Sequence, residues 1–162
     1  MPSPSLELHR LTASSQNVAE MLPTLLALSN SVFSADLGSK YASLGEWRKR
    51  LASPAAVIIF LAPSASPDRP VAFLFAHDRA HESPLSHGER QSLHVWLAGV
   101  LPERRAEGCL SKMMSALDTA PVLTVCTTPA EYQDMWGWLT RRGWATEREL
   151  DGGKVMLSIR HA

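Results

Sequence analysis

The chain has 162 residues, of which 45% are hydrophobic, and its 16 basic and 16 acidic residues cancel to no net charge at pH 7. We expect one globular domain over residues 1–162, because this length can bury a sizeable core. The balanced charge argues against a field that recruits nucleic acid or an anionic membrane surface, and no apolar run reaches the ~20 residues of a membrane span. The two cysteines, Cys109 and Cys126, are too few for a disulfide framework, so a reducing compartment, the cytoplasm, is expected.

The N-terminal segment predicts a strand followed by a helix. Residues 6–11 alternate between apolar and polar side chains, as in a half-buried strand. Ser14 or Ser15 can cap a helix that Pro23 is expected to kink. The apolar residues of this helix recur at helical spacing: Val18, Met21, Leu22, Leu25 and Leu26.

A second helix is predicted by the capping box that Ser43 and Glu46 form. Trp47 and Leu51 then lie on one face of this helix, at the spacing of one turn. Residues 34–42, between the two helices, are expected to be a flexible connection.

The middle of the chain predicts two strands and a loop. A linker with prolines and serines separates the apolar runs 55–61 and 71–76, which favours an antiparallel pair. The polar residues 78–91 are expected to form a mobile loop. Three histidines lie in or just before this segment, but their spacing matches no common metal-ligand pattern, so we expect no metal and interpret them as solvated loop residues: His77, His81 and His87.

The C-terminal part predicts four strands and a helix. The apolar runs 93–100 and 122–126 are typical of buried strands. Thr128, followed by a proline and by Glu131, predicts a helix start, and Gly143 is expected to end that helix. Its apolar stripe comprises Tyr132, Met135, Trp136 and Leu139. The last two strands are predicted over residues 144–150 and 154–159, and residues 151–153 form the tight connection between them.

The most informative segment, residues 100–114, joins a predicted strand to a predicted helix through a turn that contains Arg105 and Gly108. Main-chain N–H groups at a helix start are unpaired donors with partial positive charge, and a glycine lets an anion approach the main chain. We interpret the segment as a pyrophosphate site, the alternative being an ordinary strand–turn–helix with a surface arginine pair. The helix after the turn has an apolar face: Leu110, Met113, Met114 and Leu117.

This segment resembles the acetyl-CoA-binding signature of the GNAT superfamily of N-acetyltransferases, in which Gln or Arg precedes two residues, Gly, one residue, and Gly or Ala. Leu110 departs from it in the last position. The resemblance implies acetyl-CoA as co-substrate, without a metal, and the GNAT acyl-CoA N-acyltransferase fold: an α+β, three-layer domain with a mixed sheet of about seven strands, four helices, and splayed fourth and fifth strands. The implied cofactor-binding residues are Ala98, Gly99, Val100, Arg105, Ala106, Glu107, Gly108, Cys109, Leu110 and Ser111.

The resemblance also implies candidate catalytic residues. Family members often carry a carboxylate eleven positions before the first signature residue, and this chain has His94 there. A histidine suits a general base near pH 7, whereas the other interpretation of His94 is a core or surface histidine with a satisfied hydrogen bond. Leu139 replaces the tyrosine that often serves the family as acid. Tyr132 is then the candidate to donate a proton, or else to contact pantetheine or the core.

These features predict an enzyme, an acetyl-CoA-dependent N-acetyltransferase that moves an acetyl group directly to a primary amine of a small molecule. Two alternatives stay open: a protein lysine or N-terminal acetyltransferase, and a catalytically degenerate acyl-CoA-binding module, which Leu110 and Leu139 motivate. The resemblance makes a homodimer an option, because dimers are common in the family, while neither nucleic acid nor a membrane is expected as a partner.

Overall fold

A computed structural model describes residues 5–33 and 43–161. Within these ranges, seven strands form one sheet in the order β1-β2-β3-β4-β5-β7-β6. The β4–β5 pair is parallel, and the β1–β2, β2–β3, β5–β7 and β6–β7 pairs are antiparallel. The strands are β1 Leu6–Leu11, β2 Val57–Pro63, β3 Ala72–Ala80, β4 Gln91–Val100, β5 Val122–Thr127, β6 Ala145–Glu149 and β7 Val155–Arg160.

The described part of the chain has four α-helices and two 3-10 turns. The helices are α1 Val18–Val32, α2 Leu44–Leu51, α3 Cys109–Ser115 and α4 Gln133–Arg141. The 3-10 turns are Pro102–Arg104 and Asp151–Gly153. The predicted α+β fold with seven strands and four helices is therefore confirmed. None of the helices in these ranges has the length and apolar character needed to cross a bilayer.

The chain packs as two compact units, each built from two segments. The first unit comprises Met1–His77 and Leu97–Leu117, and the second comprises Asp78–Trp96 and Asp118–Ala162. Each unit has its own apolar interior, so the hydrophobic contacts that hold it together can be described separately.

The interior of the first unit forms where α2 packs on the sheet. Ser43 Oγ accepts a hydrogen bond from Glu46 N (3.2 Å), which confirms the predicted cap. That cap directs Trp47 inward, where it is fully buried between Phe73 and Phe75 at ring-centroid distances of 5.9 and 5.1 Å. The predicted connection 34–42 before this helix lies outside the described residues.

Helix α1 begins later than the sequence predicts. Ser15 Oγ accepts from Thr12 N (2.9 Å), so it caps a turn that precedes the helix, and Asn17 occupies the N-cap position of α1. The expectation that Ser14 or Ser15 caps α1 is wrong, because the short Ser15 side chain bonds backward along the chain rather than forward. Pro23 lies inside the helix.

Residues 78–91 are in part the loop that the sequence predicts: residues 81–90 connect β3 to β4, whereas residues 78–80 and 91 belong to the strands. β3 continues to Ala80, and His81 N then donates to Arg90 O (2.8 Å), which keeps the two sides of the connection paired. Leu85, 3% exposed, packs with Val122 and Met156 as part of the apolar interior of the second unit. The sequence of this segment is polar, but buried Leu85 and the contacts of Ser86 and Glu89 with charged side chains anchor it.

Glu147, on β6, is the main charged side chain that holds residues 78–91 in place. Its side chain is 2% exposed and accepts from Ser86 N (2.7 Å), Ser86 Oγ (2.8 Å), Ser158 Oγ (2.6 Å) and Arg160 NH2 (3.2 Å). Burial alone would raise the pKa of the Glu147 carboxyl, but these hydrogen bonds outweigh it and lower the pKa to about 2. The hydrogen bond from Arg160 likewise lowers the pKa of Glu89 to about 2.

Replacing Glu147 with glutamine is expected to destabilise the fold by about 2 kcal/mol near pH 7, because Arg160 then keeps Glu89 as its single carboxylate partner among the described residues. Both carboxyls have folded-state pKa values below their ordinary 4.5, so they stabilise the protein above that pH. Their contribution disappears as the pH falls from about 4.5 towards 2. Denaturant unfolding at several pH values measures both effects.

The matched control is Glu149→Gln, an exposed carboxylate on the same strand, which should change the unfolding free energy by less than about 0.5 kcal/mol. Equal destabilisation by the two substitutions would contradict the assignment of Glu147 as an anchor.

Candidate active site

The loop between β4 and α3 has an unusual main chain. After the 3-10 turn, Arg105 is extended, Ala106 has a φ of +69° and Gly108 has a φ of +78°. A positive φ is rare for a residue with a Cβ, so Ala106 holds a conformation that the surrounding structure must impose. The two left-handed residues redirect the chain from the strand into the helix, as predicted for a strand–turn–helix segment.

Unpaired main-chain donors lie at the start of α3. The first hydrogen bond of regular helical spacing is donated by Lys112 N to Gly108 O (3.0 Å). The N–H groups of Cys109, Leu110 and Ser111 therefore have no carbonyl partner within the helix. A Cβ built on Gly108 would have no heavy atom within 4 Å, so the space next to this main chain is open. An anion can approach these donors.

The arginines of the loop are held by local contacts. Arg105 Nε donates to Val100 O (3.2 Å), which ties its guanidinium to the end of β4. Arg104 NH1 pairs with Glu107 at 3.3 Å, so part of its charge is neutralised. The two arginines therefore differ in their partners: Arg104 faces the carboxylate of Glu107, whereas Arg105 contacts a main-chain carbonyl.

Cys109 is buried at the start of α3, where its Sγ lies 3.8 Å from Arg104 O. Burial raises the pKa of the Cys109 thiol, and the nearby Glu107 carboxylate adds to the rise. A protonated, buried thiol is a poor nucleophile. Cys109 is therefore available through its main chain rather than its side chain, and the half-buried Leu110 follows it.

Gly99 is required by the protein's own packing. A Cβ at this position would lie 2.8 Å from Val32 Cγ1 of α1 and 3.1 Å from Phe73 Cε1. The sequence assigned Gly99 to the cofactor, but its missing side chain makes room for the last turn of α1. Its neighbours Ala98 and Val100 are half-buried.

β4 and β5 pair along only part of their lengths. Their parallel register runs over three pairs, from Leu93 opposite Leu123 to Val95 opposite Val125. β4 itself continues to Val100. This short register agrees with the predicted divergence of the fourth and fifth strands.

His94 lies on β4 in a buried polar environment, with 5% of its surface exposed. Its Nδ1 is 2.8 Å from Thr124 Oγ1, and its Nε2 is 3.2 Å from Arg79 NH1. Arg79 NH1 also donates to Cys126 Sγ (3.6 Å). Because a guanidinium can only donate, Nε2 of His94 must accept here, and the neutral ring carries its hydrogen on Nδ1. The ring is thus held in one tautomer.

Tyr132 is not on the helical face that the sequence predicts. Tyr132 N donates to Thr128 O (2.9 Å), which closes a single turn, and α4 begins only at Gln133. The predicted helix start at Thr128 is wrong because Tyr132, with φ −126° and ψ 61°, interrupts the helical main chain. Tyr132 is 38% exposed, whereas Leu139 is fully buried.

The three clustered histidines have different surroundings. His77 Nε2 lies 3.0 Å from Arg50 NH1, His81 Nε2 lies 2.8 Å from Ser92 Oγ, and His87 is exposed. The interpretation as solvated loop residues is wrong for His81, which is 7% exposed. It is also wrong for His77, which is half-buried on β3.

The partners of His94 were missed at the level of sequence. Arg79 and Thr124 reach the ring from β3 and β5, and strand pairing is what brings them together. A signal did exist for Thr124: it is the one hydroxyl in the apolar run 122–126, and a buried hydroxyl needs a partner.

The protein is similar in three dimensions to solved acetyltransferase structures. No protein-family model and no curated protein matches the sequence. Among solved structures, the aminoglycoside N-acetyltransferase AAC(6')-Iy in complex with CoA matches with a TM-score of 0.71 and 12% identity, covering 92% of this chain and 93% of its own. A GNAT-family acetyltransferase from Streptococcus agalactiae matches with a TM-score of 0.69 and 11% identity, covering 96% of both chains.

The protein has the GNAT acetyltransferase fold. Arabidopsis thaliana NAA60, in complex with a bisubstrate analogue, also matches, with a TM-score of 0.64 and 12% identity, covering 97% of this chain and 98% of its own. The GNAT fold is therefore indicated twice, by the signature within residues 100–114 and by the three-dimensional likeness.

Proposed function

We propose that the protein is an acetyl-CoA-dependent N-acetyltransferase that transfers an acetyl group directly to a primary amine. The observation that carries this proposal is the loop between β4 and α3, where the signature residues Arg105 and Gly108 accompany two left-handed residues and unpaired N–H groups within a GNAT fold. Such a main chain suits the diphosphate of coenzyme A.

Acetyl-CoA is held in this proposal mainly by main-chain atoms. The N–H groups at the start of α3 bind the diphosphate, and Arg105 adds positive charge beside them. Main-chain atoms of β4 pair with the pantetheine arm, and an N–H group there also stabilises the oxyanion of the tetrahedral intermediate. The proposed cofactor residues are Ala98, Gly99, Val100, Arg105, Ala106, Glu107, Gly108, Cys109, Leu110 and Ser111.

His94 is the proposed general base. The amine nitrogen attacks the thioester carbonyl, the amine proton goes to Nε2 of His94, and the carbon–sulfur bond breaks to release the thiolate. For this to happen, the amine must replace Arg79 as the partner of Nε2. The thiolate takes its proton from Tyr132 or from water, since a thiol pKa near 8.5 makes it a tolerable leaving group.

A small-molecule amine is the proposed acceptor. The structural neighbour AAC(6')-Iy acts on an aminoglycoside by its name, which supports a small polyamine-like or aminosugar-like substrate for this chain. The second candidate is a protein acceptor, at a lysine or at the N-terminus. It is favoured by the likeness to the NatC complex, whose structure contains a peptide and CoA; its TM-score is 0.62 at 11% identity, covering 97% of this chain and 99% of its own.

An acetyl-transfer assay with a mixed acceptor panel tests the proposal. Release of free coenzyme A thiol is measured with polyamines, amino acids and aminosugars, and in parallel with lysine-containing and N-terminal peptides. We expect amine-dependent release with at least one small amine and acetylated product by mass spectrometry. Binding of acetyl-CoA with no transfer to any acceptor would instead identify a degenerate acyl-CoA-binding module.

A further inference from the structure

Four buried polar side chains of the second unit form an unbroken hydrogen-bonded chain. His94 Nδ1 is 2.8 Å from Thr124 Oγ1, Thr124 Oγ1 is 2.7 Å from Ser92 Oγ, and Ser92 Oγ is 2.8 Å from His81 Nε2. All four residues are at most 8% exposed. Buried polar side chains are costly to keep in a core unless each is satisfied, and these contacts give each of the four a hydrogen-bond partner.

Arg79 gives the chain a direction. It donates to Nε2 of His94, so the hydrogen of the neutral ring is on Nδ1 and points to Thr124. Each hydroxyl has one hydrogen to give. The arrangement that satisfies every acceptor has Thr124 donating to Ser92 and Ser92 donating to Nε2 of His81. All donors then point away from His94.

We propose that this chain is a proton relay that carries the proton taken up by His94 to His81. When Nε2 of His94 receives a proton from the acceptor amine, the Nδ1 proton moves to Thr124, the Thr124 proton moves to Ser92, and the Ser92 proton moves to Nε2 of His81. Three bonds to hydrogen break and three form, and the positive charge moves from one imidazole to the other without any redox change. After the products leave, Nε2 of His94 gives its hydrogen to water and the same three hydrogens move back from His81, which restores the resting tautomers. The inference rests on the proposed function of His94 as the base.

The surroundings of the two imidazole rings disfavour a lasting positive charge on either of them. A protonated His94 would place its charge beside the guanidinium of Arg79, which favours passing the proton on. At the other end, burial lowers the pKa of His81, and the charges of Arg79 and Arg148 lower it further, against the opposite effect of Glu147 and Glu89. His81 therefore stays neutral at rest and holds the relayed proton only until it returns through Ser92 and Thr124.

Thr124→Val and Ser92→Ala each interrupt the relay with little change in volume. We expect each to lower kcat for the amine about tenfold or more while the KM for acetyl-CoA stays unchanged. The double variant should lose no more than the more damaging single one, because both interrupt one relay. Thr124→Ser, which keeps the hydroxyl, should retain kcat within about threefold. Thermal unfolding is the check that each variant is folded.

Ser92 decides between a relay and simple positioning of His94. Within the four-residue hydrogen-bonded chain, Ser92 contacts Thr124 and His81. If the chain only oriented the His94 ring, Thr124 would suffice, and Ser92→Ala would keep full turnover. Full turnover in that variant, with wild-type pH dependence, would overturn the relay.

Imidazole ¹⁵N NMR tests the relay separately from the proposed function. We expect neutral His94 to carry its hydrogen on Nδ1, and we expect Ser92→Ala to shift the titration of His94 whereas Thr124→Ser does not. A hydrogen on Nε2 of neutral His94, or titrations that are the same in wild type and Ser92→Ala, would overturn the relay even in an active enzyme. Correct tautomers and coupled titrations in a protein that acetylates no amine would overturn only the proposed function.

Discussion

Replacing His94 with alanine is expected to lower kcat for acetyl transfer by about 100- to 10,000-fold, the range typical of a lost general base. The amine must be deprotonated as it attacks, and no other described histidine combines burial on β4 with an Arg79 contact that leaves Nε2 as an acceptor. The KM for acetyl-CoA should change little, because the proposed cofactor contacts are made elsewhere. Initial rates over a range of pH measure both quantities.

Two further variants keep this prediction falsifiable. His94→Gln preserves a polar side chain of similar reach but cannot accept a proton, so it should be as inactive as the alanine variant. Added imidazole should restore part of the rate of His94→Ala, which leaves a cavity for it. His87→Ala, at an exposed position, should behave as wild type. Unchanged turnover of His94→Ala across the pH range would exclude His94 as the base.

Replacing Gly108 with alanine is expected to weaken acetyl-CoA binding at least tenfold, which corresponds to about 1.4 kcal/mol. The new Cβ would enter the open space beside the N–H donors of α3, where the diphosphate is proposed to lie. The protein itself has room for this atom, so the loss should appear in affinity. Calorimetric titration with acetyl-CoA measures it.

Gly143 provides the matched control for backbone strain. It too has a positive φ, +87°, and a Cβ there would meet nothing within 4 Å, but it follows α4. Gly143→Ala and Gly108→Ala should each cost about 1 kcal/mol of stability, because alanine is strained in the left-handed region. Only Gly108→Ala should bind acetyl-CoA more weakly; equal affinities in the two variants would contradict a diphosphate at Gly108.

Local chemistry explains what the sequence could predict. The capping box at Ser43 depends on residues three apart, and the signature at Arg105 and Gly108 lies within one turn, so both are visible without knowing the fold. The period-two and continuous apolar runs likewise located the seven strands, because burial acts on each run independently. The resemblance to the GNAT signature then supplied the topology.

Long-range contacts explain what the sequence could not predict. The anchor of residues 78–91 is Glu147, which is distant in the chain, and the partners of His94 come from neighbouring strands. Tyr132 shows a different limit: a strong N-terminal signal at Thr128 produced only one turn, because the main chain of Tyr132 left the helical region. Local propensity proposes a helix start there, and the tertiary structure decides it.

A crystal structure of the protein with acetyl-CoA bound tests the central claim most directly. We expect the diphosphate oxygens to lie about 3 Å from main-chain nitrogens between Ala106 and Ser111, within hydrogen-bonding distance. A cofactor whose diphosphate contacts another part of the chain, with this loop unoccupied, would contradict the proposed site.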